Sequence, residues 1–262
     1  MDYEQICAEV RATAREAGEY IALQRESFSF ADVEFKGFQD MVSYVDKQAE
    51  RMIVDRLREI TPEAGFITEE GTCAAQAGEA QSLKWIIDPL DGTTNFIHGL
   101  PPYCVSIGLM EEDEMVVGVV YEITMKEMFW AWKGSAAFLD GREITVSATD
   151  SLENALIAVG FAHNTRAETD GYLGSMAWFQ KNSNGIRRIG SATADLVYVA
   201  CGRFDAFHQV KLSAWDVAAG AFICRAAGAV VSDYSGGENY IFGREIIASN
   251  PHIYKEFKSR VK

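Results

Sequence analysis

Between residues 3 and 25 the apolar positions Ile6, Cys7, Val10, Ala14, Ala17 and Ile21 recur at helical spacing with Glu and Arg between them, which predicts an amphipathic helix. A second helical stripe, Ala49, Met52, Ile53, Leu57 and Ile60, follows "DMVSYVD" and is stopped by Thr61-Pro62. "GFIT" predicts a short strand running into Glu69 and Glu70. "LKWIID" predicts another, ending at Asp88 because Pro89 cannot donate to a ladder, and "DGTTN" then offers a helix start. After residue 103 the pattern changes to strands: "YCVSIGLM", "MVVGVVYE", "EMFWAW", and "FLDGREITV" around an Asp-Gly turn, an antiparallel meander. From about residue 150 strands and helices alternate. "ALIAVG", a polar helical stretch near 168–181, "IRRIG", an apolar helix over 191–202, "AFHQV", a helix after Asp216 and "AVVSDYSGG" suggest a layered α/β arrangement. The expected division is an N-terminal α+β half, residues 1–145, and a C-terminal α/β half, residues 146–262. No repeat and no Pro- or Ser-rich linker separates them.

Composition narrows the function classes. At 262 residues and 48% hydrophobic, the chain can bury a large core. A formal charge of −14 and the absence of long basic runs argue against non-specific partnership with nucleic acid or an anionic membrane. The N-terminus lacks a basic region followed by an apolar core, so no signal peptide is expected, and no apolar run is long enough to span a bilayer. Cysteines at 7, 73, 104, 201 and 224 form no C-x-x-C and leave one unpaired, which suits reduced thiols in a cytoplasm.

The stretch "WIIDPLDGTTN" poses an electrostatic problem, because Asp88 and Asp91 lie three residues apart in an already acidic chain. A bound cation would remove their repulsion. Glu69, Glu70 and Asp216 are further oxygen donors, whereas the four histidines, at 98, 163, 208 and 252, have no paired spacing. Oxygen ligands without His or Cys point to Mg²⁺ or Mn²⁺, and Mg²⁺ commonly shares its shell with substrate phosphates. The glycine and threonines of "DGTTN" at a helix start would receive such an anion on free backbone N–H groups. Taken singly, each residue has a plainer role: Asp216 a helix cap, Asp91-Gly92 a turn, Glu69-Glu70 a solvated face.

Taken in order, "TEE" at 68–70, "WIIDPLDGTTNFIHGLP" at 85–101 and "WDVAAGAFICRAAGAVVSD" at 215–233 resemble the signatures of the inositol monophosphatase family, Mg²⁺-dependent, lithium-sensitive phosphatases. The resemblance implies a five-layered αβαβα sandwich, a homodimer and two or three Mg²⁺ per site, with Mn²⁺ a possible substitute. It implies metal ligation by Glu69, Asp88, Asp91 and Asp216 and by the backbone carbonyl of Leu90. Asp46 and Thr93, with Glu69, would orient a metal-activated water for direct attack on phosphorus without a phosphoenzyme. Gly92 and Thr93 would bind phosphate oxygens through backbone N–H groups, and Gly190, Ser191 and Ala192 would border a small phosphorylated polyol such as inositol 1-phosphate.

One position departs from the family pattern. Where inositol-specific members have a glutamate seven residues before the last metal aspartate, this chain has Gln209, which can hydrogen-bond but supplies no charge-assisted bond. Fructose 1,6-bisphosphate and adenosine bisphosphates are the alternative substrates, with Lys211 and Arg187-Arg188 as candidate contacts to a second phosphate. Trp130, Trp132 and Trp178 line a site or pack a core. A non-catalytic module that sequesters divalent cations or binds a basic protein needs the carboxylates, but not Thr93 with Asp46 or Gly92 at a phosphate turn.

Overall fold

Helix α1 (Tyr3–Ser27) begins where the Asp2 carboxylate accepts from the Gln5 N–H at 3.1 Å, and it buries the predicted stripe from Ile6 to Ile21. The computed structural model describes residues 1–30, 33–37, 40–72, 81–161 and 169–261; Cys73, His163 and the first residue of the 168–181 stretch lie outside them. A hairpin of β1 (Val33–Gly37) and β2 (Asp40–Ser43) leads into α2 (Tyr44–Ile60). Ser43 and Asp46 form a reciprocal capping box at the start of α2.

Seven strands follow in one sheet: β3 (Gly65–Thr68), β4 (Leu83–Asp91), β5 (Cys104–Glu111), β6 (Glu114–Glu122), β7 (Glu127–Trp132), β8 (Ala137–Leu139) and β9 (Arg142–Ile144). They lie side by side in chain order, β3 parallel to β4 and all later neighbours antiparallel. The β8–β9 turn places Asp140 at φ +48° and Gly141 at φ +84°, as the Asp-Gly signal requires. Between β4 and β5 runs the short helix α3 (Thr93–His98).

The second sheet contains β10 (Leu156–Val159), β11 (Gly185–Arg187), β12 (Ala206–Val210), β13 (Val230–Ser232) and β14 (Glu245–Ser249) in the order β11-β10-β12-β14-β13. Its helices are α4 (Thr169–Asn182), α5 (Ala192–Ala200), α6 (Ala214–Ala226) and α7 (Tyr254–Arg260). Helices α1 and α2 cover the outer face of the first sheet, α5 and α6 fill the space between the sheets, and α4 and α7 close the far side. The result is an αβαβα sandwich. Strands β5 and β6, covered on both faces, are buried almost end to end, which explains their near-continuous apolar sequence. No helix among the described residues is long and apolar enough to cross a membrane.

Three local expectations need correction. Strand β4 does not end at Asp88: pairing resumes at Asp91, and Asp88↔Ser106 and Asp91↔Cys104 leave one extra residue on β4. Pro89 therefore sits in a β-bulge, where its missing N–H breaks no ladder bond. Helix α6 starts at Ala214, two residues before Asp216. The hairpin β1–β2, strand β14 and helix α7 were not marked by the apolar pattern.

Helix α6 approaches the first sheet where β6 has no side chain. A Cβ on Gly118 would lie 2.9 Å from the Ala219 carbonyl oxygen of α6 and 3.1 Å from the Phe222 ring. Gly118→Ala should therefore displace α6 and lower the unfolding free energy by about 1–3 kcal/mol, read from urea denaturation. An unchanged midpoint would contradict this close packing.

Candidate metal and phosphate site

The bulge in β4 is what gathers the chemistry. It lets Asp88, the Leu90 carbonyl and Asp91 serve one cavity wall where a regular strand would alternate them between two faces. Asp88 Oδ1 accepts from the Leu90 N–H at 3.0 Å, which fixes the turn. The chain then passes through Gly92 at φ +94°, and a Cβ there would meet the Pro102 carbonyl at 3.0 Å, so glycine is required on two counts. Thr93 opens α3, and its hydroxyl lies 3.0 Å from both the Leu90 carbonyl and Asp46 Oδ1. Asp46 is itself held by the Ser43 N–H at 2.9 Å and the Ser43 hydroxyl at 2.6 Å. Burial raises its carboxyl above the usual range, and the bonds from Ser43 and Thr93 offset part of that rise.

Asp91 reaches the second half of the chain. Its Oδ2 accepts from the Ser191 hydroxyl at 2.7 Å and from the Thr193 N–H at 2.6 Å, at the N-terminus of α5. Asp216 is the third residue of α6, and its Oδ2 accepts from the Ser213 N–H at 2.7 Å. The plainer reading of Asp216 as a capping residue is thus true of one oxygen, while the carboxylate also joins a cluster. Carboxylate oxygens of Asp88, Asp91 and Asp216 lie within 4.8 Å of one another. Glu69, following β3, completes the wall beside Asp88, whose carboxyl it helps to push upward.

This arrangement is electrostatically unfavourable without a cation. Burial raises the Asp88 carboxyl well above the ordinary carboxylate range, and Glu69, Asp91 and Asp216 push it further. Removal from water also raises Asp91, against the bonds from Ser191 and Thr193. Asp216 is pushed up to about 7, first by burial and then by Asp91, against the Ser213 N–H and the charge of Arg244. Four carboxylates and one backbone carbonyl, with no His or Cys among them, form a donor set that fits a hard cation such as Mg²⁺.

The cluster lines a cavity of about 790 Å³ together with Gly190, Ser191, Ala192 and Gln209. Gly190, at φ +89°, packs against Asn95, whose amide donates to the Pro102 and Ile189 carbonyls at 2.8 and 2.7 Å and so ties the two halves together. Gln209 is half-buried. Its side chain lies across Gly160, where a Cβ would fall 1.5 Å from Gln209 Oε1. Arg188 and Lys211 line the cavity and Arg187 does not. Trp130 and Trp132 stack on Phe138 beside α1, and Trp178 packs on Phe179, so none of the three singled-out tryptophans reaches the site; Trp215 does. His208 is buried beside Tyr234, its pKa lowered to about 3 by burial, and stands outside the cavity wall.

Glu50 had no signal in the sequence beyond a charge on a helical stripe. Fully buried in α2, it accepts from the N–H groups of Glu70 and Thr72 and from the Thr72 hydroxyl, each at 2.7 Å, and thereby anchors the loop that carries Glu69. Asn95, Trp215 and Arg244 were likewise unmarked.

The family model described as "Inositol monophosphatase family" matches residues 2–261. Nus factor SuhB of Escherichia coli K12 is 39% identical over 253 residues, covering 97% of this chain and 94% of the relative. Inositol-1-monophosphatase of Mesorhizobium japonicum is 38% identical over 252 residues, 96% of this chain and 91% of the relative. Among solved structures, the extragenic suppressor protein suhB of Bartonella henselae superposes with a TM-score of 0.91 at 37% identity over 98% of both chains. The IMPase of Thermotoga maritima gives 0.88 at 34% identity, covering 99% of this chain and 96% of that one. The carboxylate wall, the αβαβα layers and a match over nearly the whole length agree, and the chain belongs to the inositol monophosphatase family.

Proposed function

We propose that this protein is a Mg²⁺-dependent phosphatase that hydrolyses the phosphate monoester of a small polyol by direct attack of water. The observation that carries the reading is the union, in one cavity, of the carboxylate cluster with the Asp46–Thr93 hydrogen bond. A site that merely sequestered cations would need only the first.

Glu69, Asp88, Asp91 and Asp216 and the Leu90 carbonyl would hold Mg²⁺, with Mn²⁺ as a substitute. Bound there, the metal supplies charge stabilisation for phosphoryl oxygens and makes water a better nucleophile at neutral pH. Asp46, locked by two bonds from Ser43, turns the Thr93 hydroxyl so that its lone pairs face the cavity. That hydroxyl and Glu69 orient the attacking water and draw off its proton. The N–H groups of Gly92 and Thr93 receive phosphate oxygens as charge develops on them. Gly190, Ser191, Ala192 and Gln209 border the alcohol. The relatives carry two kinds of name, a Nus factor and an inositol-1-monophosphatase. The intact constellation here favours the enzymatic reading.

The test is inorganic phosphate release from inositol 1-phosphate, fructose 1,6-bisphosphate, adenosine 3',5'-bisphosphate and 2-glycerophosphate, with Mg²⁺ and with EDTA. Turnover should require Mg²⁺, and Asp88→Asn should lower kcat by more than about a hundredfold, the scale of losing an electrostatic stabiliser of the transition state. Absence of phosphate from every ester, with Mg²⁺ binding intact, would replace the enzyme by a binding module.

The raised carboxyls also set a pH dependence for the metal-free protein. Asp216 titrates near 3.8 when exposed and about 7 in the fold, so between those values the native state holds more protons and stability falls as pH rises. Asp216→Asn removes that penalty while keeping an acceptor for the Ser213 N–H. In EDTA its Tm should gain on that of the parent from pH 4 to pH 7, and Mg²⁺ at pH 7 should reverse the gain. A Tm difference independent of pH would contradict the repulsion.

A further inference from the structure

Asn95 is the third residue of α3, two beyond the Thr93 that opens the helix, and it stands half-buried in the wall of the cavity. Its amide nitrogen donates to two carbonyls, that of Pro102 at 2.8 Å and that of Ile189 at 2.7 Å. A primary amide has two N–H groups, so both are committed. The orientation of the group follows. Turned over, the amide would set its oxygen against two carbonyl oxygens with no proton between them, and three acceptors would be left unsatisfied. Nδ2 is therefore pinned to the two carbonyls, and Oδ1 is fixed as the remaining atom, an acceptor that no donor among the described residues reaches.

The surroundings keep that acceptor open. A Cβ on Gly190 would lie 2.8 Å from Asn95 Oδ1, and glycine leaves the space free. The groups that border the alcohol are committed differently. The Ser191 hydroxyl donates to Asp91, and the Gln209 amide, lying across Gly160, can present either its oxygen or its nitrogen. An acceptor of fixed orientation is more selective than either. It takes a hydroxyl, which donates, and gives nothing to a fluorine, an ether oxygen or a phosphate oxygen. The short helix whose first N–H groups face phosphate oxygens thus carries, two residues on, an oxygen suited to the alcohol.

We propose that Asn95 Oδ1 accepts a hydrogen bond from a free hydroxyl of the leaving alcohol, so that the preferred esters carry a hydroxyl close to the ester carbon. This inference rests on the phosphatase reading. Asn95 takes no part in making or breaking bonds; it selects and orients. A hydroxyl that enters replaces the hydrogen bond Oδ1 makes with solvent. A group of the same size that cannot donate takes the space and leaves the oxygen unsatisfied. With the phosphate on one turn of α3 and the hydroxyl on the same turn, the ester is held in one orientation.

The experiment compares kcat/KM, with Mg²⁺, for 2-glycerophosphate and 1,3-difluoro-2-propyl phosphate in the parent, Asn95→Ala and Asn95→Asp. Fluorine is close to a hydroxyl in size and electron withdrawal but has no proton to donate. The parent should favour 2-glycerophosphate by about tenfold. Asn95→Ala frees both carbonyls and should slow both esters, and the preference should fall to about twofold. Asn95→Asp loses the same two donated bonds but keeps an oxygen acceptor, so it should keep the preference at a lower overall rate. Loosening of α3 acts on the two esters alike, and the ratio therefore separates recognition from structure. A tenfold preference that persists in Asn95→Ala overturns the assignment, and so does its loss in folded Asn95→Asp. Equal hydrolysis of the two esters by the parent overturns it without any variant. No phosphate from 2-glycerophosphate in the parent also overturns it, and none from inositol 1-phosphate, fructose 1,6-bisphosphate or adenosine 3',5'-bisphosphate either would take the phosphatase reading with it.

Discussion

Carboxylates of Asp88, Asp91 and Asp216 with oxygens within 4.8 Å of one another, and Glu69 beside Asp88, repel strongly at a wall partly withdrawn from water. Every element that delivers them is fixed by interactions of its own. Strand β4 is anchored on both sides within the seven-stranded sheet, α5 is tied to Asp91 through Ser191 and Thr193, and α6 is seated on Gly118. The fold thus holds together charges that would otherwise separate, an enforced proximity that a divalent cation could turn into affinity. Preorganisation of this kind is what the proposed hydrolysis would draw on.

The site also joins the two halves of the molecule. Glu69, Asp88 and Asp91 come from the first sheet, whereas Asp216 and Gln209 come from the second half, and the α5–α6 layer lies between the sheets. Asn95 spans the same division through Pro102 and Ile189. What shifts α6 against β6 therefore also moves Asp216 relative to Asp88, so the packing between the layers sets the geometry of the carboxylate cluster.

Much of this was legible from residue order. The helical stripes of α1 and α2, the meander from β5 to β9 and the carboxylates of "DPLD" follow from periodicity and charge. The bulge was hidden because Pro89 reads as a strand terminator, and only the resumed pairing at Cys104 shows that β4 continues. Strand β14 is short and follows a Gly-rich turn, and it becomes a strand through pairing with β12 and β13, a non-local cause. Glu50 resembles any surface glutamate on a helix until the loop at Glu70 and Thr72, 20 and 22 residues away, closes over it. The left-handed backbone at Arg244 has no sequence signal at all, since glycine is the residue that pattern reading expects there.

The central claim is that the buried carboxylates stay together because they bind a divalent cation jointly. Isothermal titration of the metal-free protein with Mg²⁺ at pH 7.5, in the parent and in Asp88→Asn, tests it most directly. The account predicts saturable binding in the parent, with uptake of metal accompanied by proton release from the raised carboxyls of the cluster, and loss of that binding in the variant. Absence of heat and of proton release in the parent, or equal binding in the two proteins, would contradict it.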